Sequence, residues 1–261
     1  MAEETPVPST FASIILEEAG STNTEAFKRA AAGEAGPLWI MARRQTQGRG
    51  RSGRQWASAP GNLYASLLQR LACPQAVVHQ LSLLAGVAVV EAIAAASGRT
   101  RIAGLRLKWP NDVLIGEAKC AGILPESHSG GHALEVAVVI GIGINLVSHP
   151  PGLGRAATDL AAPGVSVTPE AMLPILAQAI ERWLGVWNCG HGFAAVRAAW
   201  LEHGGAVGES LTVDTGRERI AGTFLDLDAG GALVMRDALG QERKLTFGDV
   251  TLAHAAPKDR S

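Results

Sequence analysis

The stretch Gln45-Thr-Gln-Gly-Arg-Gly-Arg-Ser-Gly-Arg-Gln-Trp56 is too rich in glycine and arginine to be regular structure. Gly48, Gly50 and Gly53 alternate with Arg49, Arg51 and Arg54, and Trp56 follows directly. Glycine removes side chains and lets backbone N–H groups approach an anion; arginine adds planar donors that match carboxylate or phosphate oxygens. From Ala35 to Val90 there is no Asp or Glu, yet Arg43, Arg44, Arg49, Arg51, Arg54 and Arg70 all lie there. The chain as a whole has 23 Lys and Arg against 24 Asp and Glu, so the asymmetry is local. The chemistry this suggests is recognition of anionic groups on a small ligand. The alternative is a merely solvated arginine loop, which the dense alternation beside a tryptophan disfavours. The spacing also matches Gly-x-Gly-x-x-Gly at 48, 50 and 53, but the dinucleotide reading fails. Pro60 and Gly61 stand where a helix would have to run, and no acid lies about 20 positions on to hold a ribose. Nor is there a Gly-Lys-Ser/Thr ending, so this is no P-loop.

Around this loop the composition is that of a folded protein. At about 150 residues per domain, 261 residues allow one large domain or one large and one small. With 47% hydrophobic and 18% charged residues the chain can bury a core, and with only 5% aromatics that core must be mostly Ala, Val, Leu and Ile. The net charge of -1 argues against a general nucleic-acid-binding surface. Cys73, Cys120 and Cys189 are odd in number and form no CxxC pair, which argues against a disulfide framework or zinc site and suits a reducing cytoplasm. Apolar stretches such as 83–90 and 136–144 are shorter than the roughly 20 residues a bilayer requires, so no membrane span is expected. Glu3 and Glu4 stand where a signal peptide would be basic.

Residues 38–42 and 63–68 read as strands on either side of the loop. Upstream, residues 1–10 form a loose leader and 14–16 a short strand. Ser21-Thr22-Asn23 followed by Glu25 reads as the cap of a helix to Ala32, ended by Gly33. Downstream, Pro74 opens a long helix over about 75–97, ended by Gly98. Residues 105–109 form a strand stopped by Pro110; 113–115 and 120–124 flank a hairpin turn at Gly116-Glu117. Residues 133–147 are a long apolar strand, followed by a loop at Pro150, Pro151, Gly152 and Gly154. Thr168-Pro169-Glu170 opens a helix to about Trp187, which Pro174 is expected to delay or kink. A last helix covers 193–202. After Gly204-Gly205, strands at 211–213, 220–227, 232–235, 243–246 and 250–252 have the spacing of a small β-barrel. The expected division is a leader (1–10), a main α+β domain (11–205), a barrel (206–257) and a tail (258–261).

Two further segments carry chemistry. Lys108-Trp-Pro-Asn-Asp112 sets a cation, an amide and a carboxylate at a strand end. Lys108 suits a phosphate, and Asp112 suits Mg²⁺ or an amine; a turn in which Asn111 and Asp112 bond their own backbone fits the spacing equally well. Lys119 and Gly122 lie on the partner strand, so a second lysine can face the same place. Asn145, after Gly141-Ile-Gly-Ile, is either a strand-end turn residue or a ligand contact. Cys120 reads as core and the seven histidines as mostly surface, none having a partner at metal-ligand or triad spacing.

Taken together, Gly48-Arg-Gly-Arg-Ser-Gly-Arg54 with Trp56, Lys108-Trp-Pro-Asn-Asp112, Lys119-Cys-Ala-Gly-Ile-Leu124 and Gly141-Ile-Gly-Ile-Asn145 closely resemble the biotin protein ligases in order and spacing, from about residue 11 onward. The resemblance implies a mixed β-sheet flanked by helices, of the class II synthetase-like biotin/lipoate ligase fold, with a small C-terminal SH3-like barrel. It implies an ATP-dependent ligase that converts biotin and ATP, with Mg²⁺, to biotinyl-5′-AMP and passes the biotin to a lysine of a biotin carboxyl carrier domain of a carboxylase. By motif, Ser21, Thr22, Asn23 and Gln45 would hold the biotin rings; Arg49, Gly50 and Arg51 the carboxylate and acyl-phosphate; Lys119 the oxygens at the reacting centre; and Gly122 a close backbone approach to biotin. Trp56 and Arg54 would close over the adenylate. Lys108, Asn111, Asp112 and Asn145 would line the nucleotide side. Arg51, Lys119 and Asp112 are the expected catalytic residues, Asp112 either as a Mg²⁺ ligand or orienting the incoming lysine. The resemblance also suggests a homodimer. Some relatives carry an N-terminal DNA-binding domain of about 60 residues; about 10 precede the first strand here, so no repressor role is expected. Some relatives place an arginine near Leu252-Ala253-His254 that reaches ATP, which leaves the barrel's contribution open. A lipoate ligase or lipoyl/octanoyl transferase uses the same fold, but the loop and the Lys108–Asp112 motif argue against it. A nucleic-acid binder using the basic loop conflicts with the net charge.

Overall fold

Successive residues of a strand point to opposite faces of a sheet, so the apolar alternation decides what each face packs against. The computed structural model describes residues 11–99, 101–129, 135–151 and 156–252. Seven strands form the main sheet: β1 (Ala12–Ala19), β2 (Leu38–Gln45), β3 (Leu63–Leu71), β4 (Leu105–Lys108), β5 (Asp112–Ile115), β6 (Ala118–Ser129) and β7 (Val136–Ile144), in spatial order β1-β2-β3-β7-β6-β5-β4. β1 and β2 are parallel, joined through helix α1 (Thr22–Ala31), and the other neighbours are antiparallel. Leu38, Ile40, Leu68, Ala137 and Val139 turn to one face and pack on Ala26 and Ala30 of α1. Their neighbours Trp39, Met41, Leu67, Val138 and Ile140 turn to the other face, into the main core.

That core is built around α2 (Leu81–Ala96), which is apolar on nearly every side because it lies beneath the sheet with α3 (Pro169–Trp187) and α4 (Phe193–His203) packed on it. The segment Gln75–Ala96 is long and apolar enough to cross a bilayer, contrary to the expectation from shorter stretches. Yet 78% of its most apolar part is buried within the protein, as befits a core helix. Its start departs from the expected single helix: Gln75–Gln80 is a 3-10 turn. His79 and Gln80 there are anchored to the Gly230 carbonyl and the Trp187 indole, which hold the turn tight. Pro174 neither delays nor interrupts α3; it sits within the helix.

The remaining strands, β8 (Ser210–Asp214), β9 (Arg219–Leu227), β10 (Leu233–Asp237), β11 (Glu242–Leu245) and β12 (Asp249–Leu252), form a second, antiparallel sheet in the order β11-β10-β9-β8-β12. Leu211, Val213, Phe224 and Leu227 join the same hydrophobic cluster as α2 and α4, so the two sheets share a core. Arg106–Glu209 and Arg197–Asp226 ion pairs and a Trp109 indole donating to Gly231 O (3.1 Å) add polar ties. The expected leader, tail, residues 133–134, Gly152, Gly154, Ala253 and His254 lie outside the described residues.

Candidate active site

The register of the main sheet assembles the site. Lys108 pairs with Asp112, Asp112 with Gly122, Gly122 with Gly143 and Gly143 with Tyr64, so these residues form one row across five strands on the α1 face. The next row holds Leu124, Gly141 and Ser66, and the one after it Glu126, Val139 and Leu68. Glycine at 122, 141 and 143 leaves the middle of this face without side chains. A cavity of about 730 Å³ opens there, within the usual range for a small-molecule site.

By simple alternation Lys119 and Gly122 would point to opposite faces. The register between β5 and β6 shifts instead: Val113 pairs with Ala121 but Leu114 pairs with Lys119, leaving Cys120 as the extra residue of a bulge. The bulge turns Lys119 onto the cavity face and Cys120 into the core, where burial pushes its thiol up to about 12 and removes it as a nucleophile at neutral pH. Lys119 ion-pairs with one oxygen of the buried Asp112 carboxylate, and Lys108 with the other at 3.0 Å. Burial works to raise the Asp112 carboxyl, but Lys119 and then Lys108 outweigh it and bring it from 3.8 to about 2. Because the folded value is depressed, the stability this carboxylate contributes is present above about pH 4 and is lost as the pH falls towards 2. Two ammonium groups already hold both oxygens, so Asp112 does not fit the role of Mg²⁺ ligand in this arrangement. No cluster of three metal-ligating side chains occurs among the described residues either.

The glycine–arginine loop folds back on itself over this row. Trp56 N–H donates to Gly48 O (2.9 Å) and Gly50 N–H to Arg54 O (2.7 Å). A Cβ at Gly48 would lie 3.0 Å from the Ser58 hydroxyl and collide with backbone, so the close packing requires glycine there. Arg51 donates to Asn111 Oδ1 and Gly248 O, both at 3.2 Å, and Arg54 to Asp249 at 2.7 Å. Burial lowers the Arg51 pKa, with Asp249 and Asp112 opposing it. Asp249, Val250, Thr251 and Leu252 of β12 line the cavity, and Lys108 Nζ donates to Val250 O (3.1 Å). The second sheet therefore forms part of the site wall, the point the sequence left open. The Trp56 indole lies on the glycine floor: a Cβ at Gly143 would be 2.7 Å from it and one at Gly122 2.9 Å. The Lys119 ammonium stands 5.2 Å from the ring centroid.

The opposite end of the cavity is neutral and rich in hydrogen-bonding groups. Ser21, Thr22 and Asn23 begin α1, but Ser21 makes no side-chain capping bond, contrary to the expected cap. Thr22 N–H donates to Gln45 Oε1 (2.8 Å) instead, and Gln45 Nε2 donates to Ser58 Oγ (3.2 Å). Asn23 Nδ2 donates to Leu124 O (3.1 Å) and Glu126 (2.7 Å). One cavity thus joins an end lined by neutral hydrogen-bonding side chains to an end lined by two lysines and the arginines of the loop.

A sequence family described as the Biotin/lipoate A/B protein ligase family matches residues 19–145. A biotin–[acetyl-CoA-carboxylase] ligase of Paracoccus denitrificans is 38% identical over 87% of this chain and 95% of that protein. The chain belongs to the biotin protein ligase family. It also spans 65% of the length of a bifunctional ligase/repressor of Bacillus subtilis, at 32% identity over 82% of this chain. The crystal structure of a biotin protein ligase from Aquifex aeolicus in complex with biotin and ATP superposes with a TM-score of 0.76 at 28% identity, covering 94% of this chain and 99% of that one.

Within this biotin protein ligase fold, the expected residues Ser21, Thr22, Asn23, Gln45, Arg49, Gly50, Arg51, Arg54, Trp56, Lys108, Asn111, Asp112, Lys119 and Gly122 all border one cavity. Asn145 does not. It donates to Thr158 O (2.9 Å) and borders only a void of about 20 Å³ behind Lys119, because β7 ends at Ile144 and the chain turns away from the cavity floor. The sequence reading missed Glu126, Ser66 and Asp249. A lone acid in β6 and a lone serine in an apolar strand were the signals for the first two. Asp249 sits far along the chain, and only the folded contact between the sheets reveals it.

Proposed function

We propose that this protein is the ATP-dependent ligase that joins biotin to a carrier protein. The observation that carries the reading is a single cavity with neutral hydrogen-bonding groups at one end and lysines and arginines at the other, in a chain of the biotin protein ligase family. In the first step a carboxylate oxygen of biotin attacks the α-phosphate of ATP, the bond from that phosphorus to the bridging oxygen breaks, and pyrophosphate leaves. In the second, a lysine amine of the carrier attacks the carbonyl of biotinyl-5′-AMP, AMP leaves and the amine loses a proton. Mg²⁺ enters as part of the Mg-ATP substrate.

Both substrates of the first step are anions, so their approach costs Coulombic repulsion that fixed cations offset. The reading assigns Lys119 to the reacting oxygens, Lys108 to the nucleotide side and Arg49 and Arg51 to the carboxylate and acyl-phosphate. Asp112 holds both ammonium groups in place. No protein nucleophile is needed, because positioning and charge neutralisation suffice. Thr22 and Gln45 face the ring end, and Asp249 to Leu252 give the second sheet, read as the SH3-like barrel, a share in the nucleotide side. The acceptor is a biotin carboxyl carrier domain of a biotin-dependent carboxylase. Three unpaired cysteines support a cytoplasmic location.

The test is adenylate formation with biotin against lipoate: biotinyl-AMP and pyrophosphate are expected with biotin, and activity with lipoate alone would overturn the reading. A second expectation concerns the loop. A ligand on the glycine floor must displace the Trp56 indole, and an acyl-phosphate replaces the acidic partners of Arg49 to Arg54 with a tighter anion. Tryptic cleavage within residues 49–54 is therefore expected to slow when biotin and Mg-ATP are added. Equal rates with and without them would contradict the loop's assignment.

A further inference from the structure

The chain leaves α3 in a left-handed hook. Asn188, Cys189 and Gly190 have φ of 42°, 53° and 93°, a region that a residue carrying a Cβ adopts only where its surroundings hold it. Those surroundings include the 3-10 turn at Gln75–Gln80. A Cβ at Gly190 would lie 3.1 Å from Val77 Cγ1, and the Trp187 indole donates to Gln80 Oε1 (2.8 Å). Val77 N–H donates to Pro74 O (3.1 Å), so the turn begins directly after Cys73. Hook and turn thus bring together two cysteines remote in sequence. The Cys73 S–H donates to the Cys189 sulfur. Cys73 is buried in the main hydrophobic cluster and Cys189, half-buried, packs against it. The contacts that hold the two flanks do not involve sulfur, so the thiols are kept as neighbours whatever their oxidation state.

We propose that Cys73 and Cys189 are a redox-sensitive pair that closes a reversible disulfide by exchange with a small-molecule disulfide, stapling the turn before α2 to the hook after α3. Cys189, the more exposed of the two, attacks first. Its thiolate bonds to one sulfur of the small disulfide, whose S–S bond breaks; a mixed disulfide forms on Cys189 and one thiolate leaves. The Cys73 thiolate then attacks the Cys189 sulfur, the mixed S–S bond breaks and the second thiolate leaves. The protein gives up two protons and two electrons, and the small disulfide departs as two thiols. Burial, and then the Cys189 thiol beside it, pushes Cys73 up to about 11, which suits the second, intramolecular step better than the first. Cys120 takes no part: it is enclosed in the core and donates to Val113 O (3.4 Å). A bond of this kind suits a reducing compartment as a transient response to oxidation. It would close a loop of about 115 residues around the packed pair α2 and α3, which restricts the unfolded chain. Neither cysteine borders the cavity, so the proposal stands apart from the biotin reading.

The experiment incubates the full chain with graded mixtures of reduced and oxidised glutathione and blocks the remaining thiols with N-ethylmaleimide. Intact mass, tryptic peptides without reduction and melting temperature are then read. The expected result is the loss of two hydrogen atoms and a peptide of residues 71–99 joined to one of residues 183–197, both reversed by dithiothreitol. The linked chain is expected to melt about 5–10 °C above the reduced one. Cys73→Ala is expected to stop at a stable glutathione adduct on Cys189, and Cys189→Ala to take up no glutathione at Cys73. Should Cys73→Ala fail to fold, Cys189→Ala at the half-buried position carries the control, since link and melting shift must both vanish in it. A glutathione adduct that persists on Cys189 of the parent, a link through Cys120, thiols that stay free across the series, or a linked chain that melts no higher than the reduced one would overturn the proposal.

Discussion

Replacing Lys119 by alanine lowers the rate of pyrophosphate release by about 10²-fold or more, the usual loss when one preorganised electrostatic contact to a transition state is removed. The Cys120 bulge puts this ammonium on the cavity face beside Gly122, where it ion-pairs with Asp112. A cation at developing charge lowers the barrier, whereas one on the ground-state nucleotide mainly raises affinity. On the proposed reading Lys108 is of the second kind. It sits at the end of the row, tied to Asp112 and to Val250 O of the second sheet. Lys108→Ala is accordingly expected to raise the ATP KM and to leave kcat largely intact. Each variant leaves the buried Asp112 carboxylate one lysine partner, so the fold survives both changes. Pyrophosphate release over a grid of ATP and biotin concentrations checks the pair, and exchanged patterns would show the two lysines to be misplaced.

Arg51→Ala is expected to weaken retention of the adenylate by about 2–4 kcal/mol, the range for losing a partly desolvated charged contact. Arg51 is partly buried and bridges the loop, Asn111 and Gly248. Without it the loop keeps only the Arg54–Asp249 tie to the second sheet and, on the proposed reading, loses its grip on the acyl-phosphate. The mixed anhydride then meets water and free amines. The variant is expected to go on consuming ATP while releasing biotinyl-AMP and modifying lysines indiscriminately. Rapid gel filtration after single turnover, with labelled biotin, measures how much adenylate stays bound. Retention equal to that of the parent would contradict the role given to Arg51.

The parts of the site that depend on residue type and short spacing were legible in the sequence: the glycine–arginine loop, the Lys108–Asp112 motif and, through the family resemblance, Gly122. The parts that depend on register were not. Nothing local announces that Cys120 forms a bulge, yet that one residue decides which face Lys119 serves. Ser21-Thr22-Asn23 reads as a helix cap because capping and ligand binding use the same short polar side chains, and only the folded partners Gln45, Ser66 and Glu126 separate the two. Asn145 was left between two readings because an amide at a strand end fits both; here it ties down the loop at Thr158 and borders the small void behind Lys119. Trp56 lies on Gly122 and Gly143, a contact between segments remote in sequence that no local pattern announces. The second sheet was read correctly in its strands, but its share in the cavity through Asp249 to Leu252 rests on packing between sheets, which no spacing encodes.

On the proposed reading this cavity activates biotin and delivers it to a protein lysine. The most direct measurement is the intact mass of an apo biotin carboxyl carrier domain after incubation with the protein, Mg-ATP and biotin. The expected result is the addition of one biotinyl group to one lysine, dependent on both ATP and biotin and lost when that lysine is replaced by arginine. An unchanged carrier mass, or modification only when lipoate replaces biotin, would contradict the account.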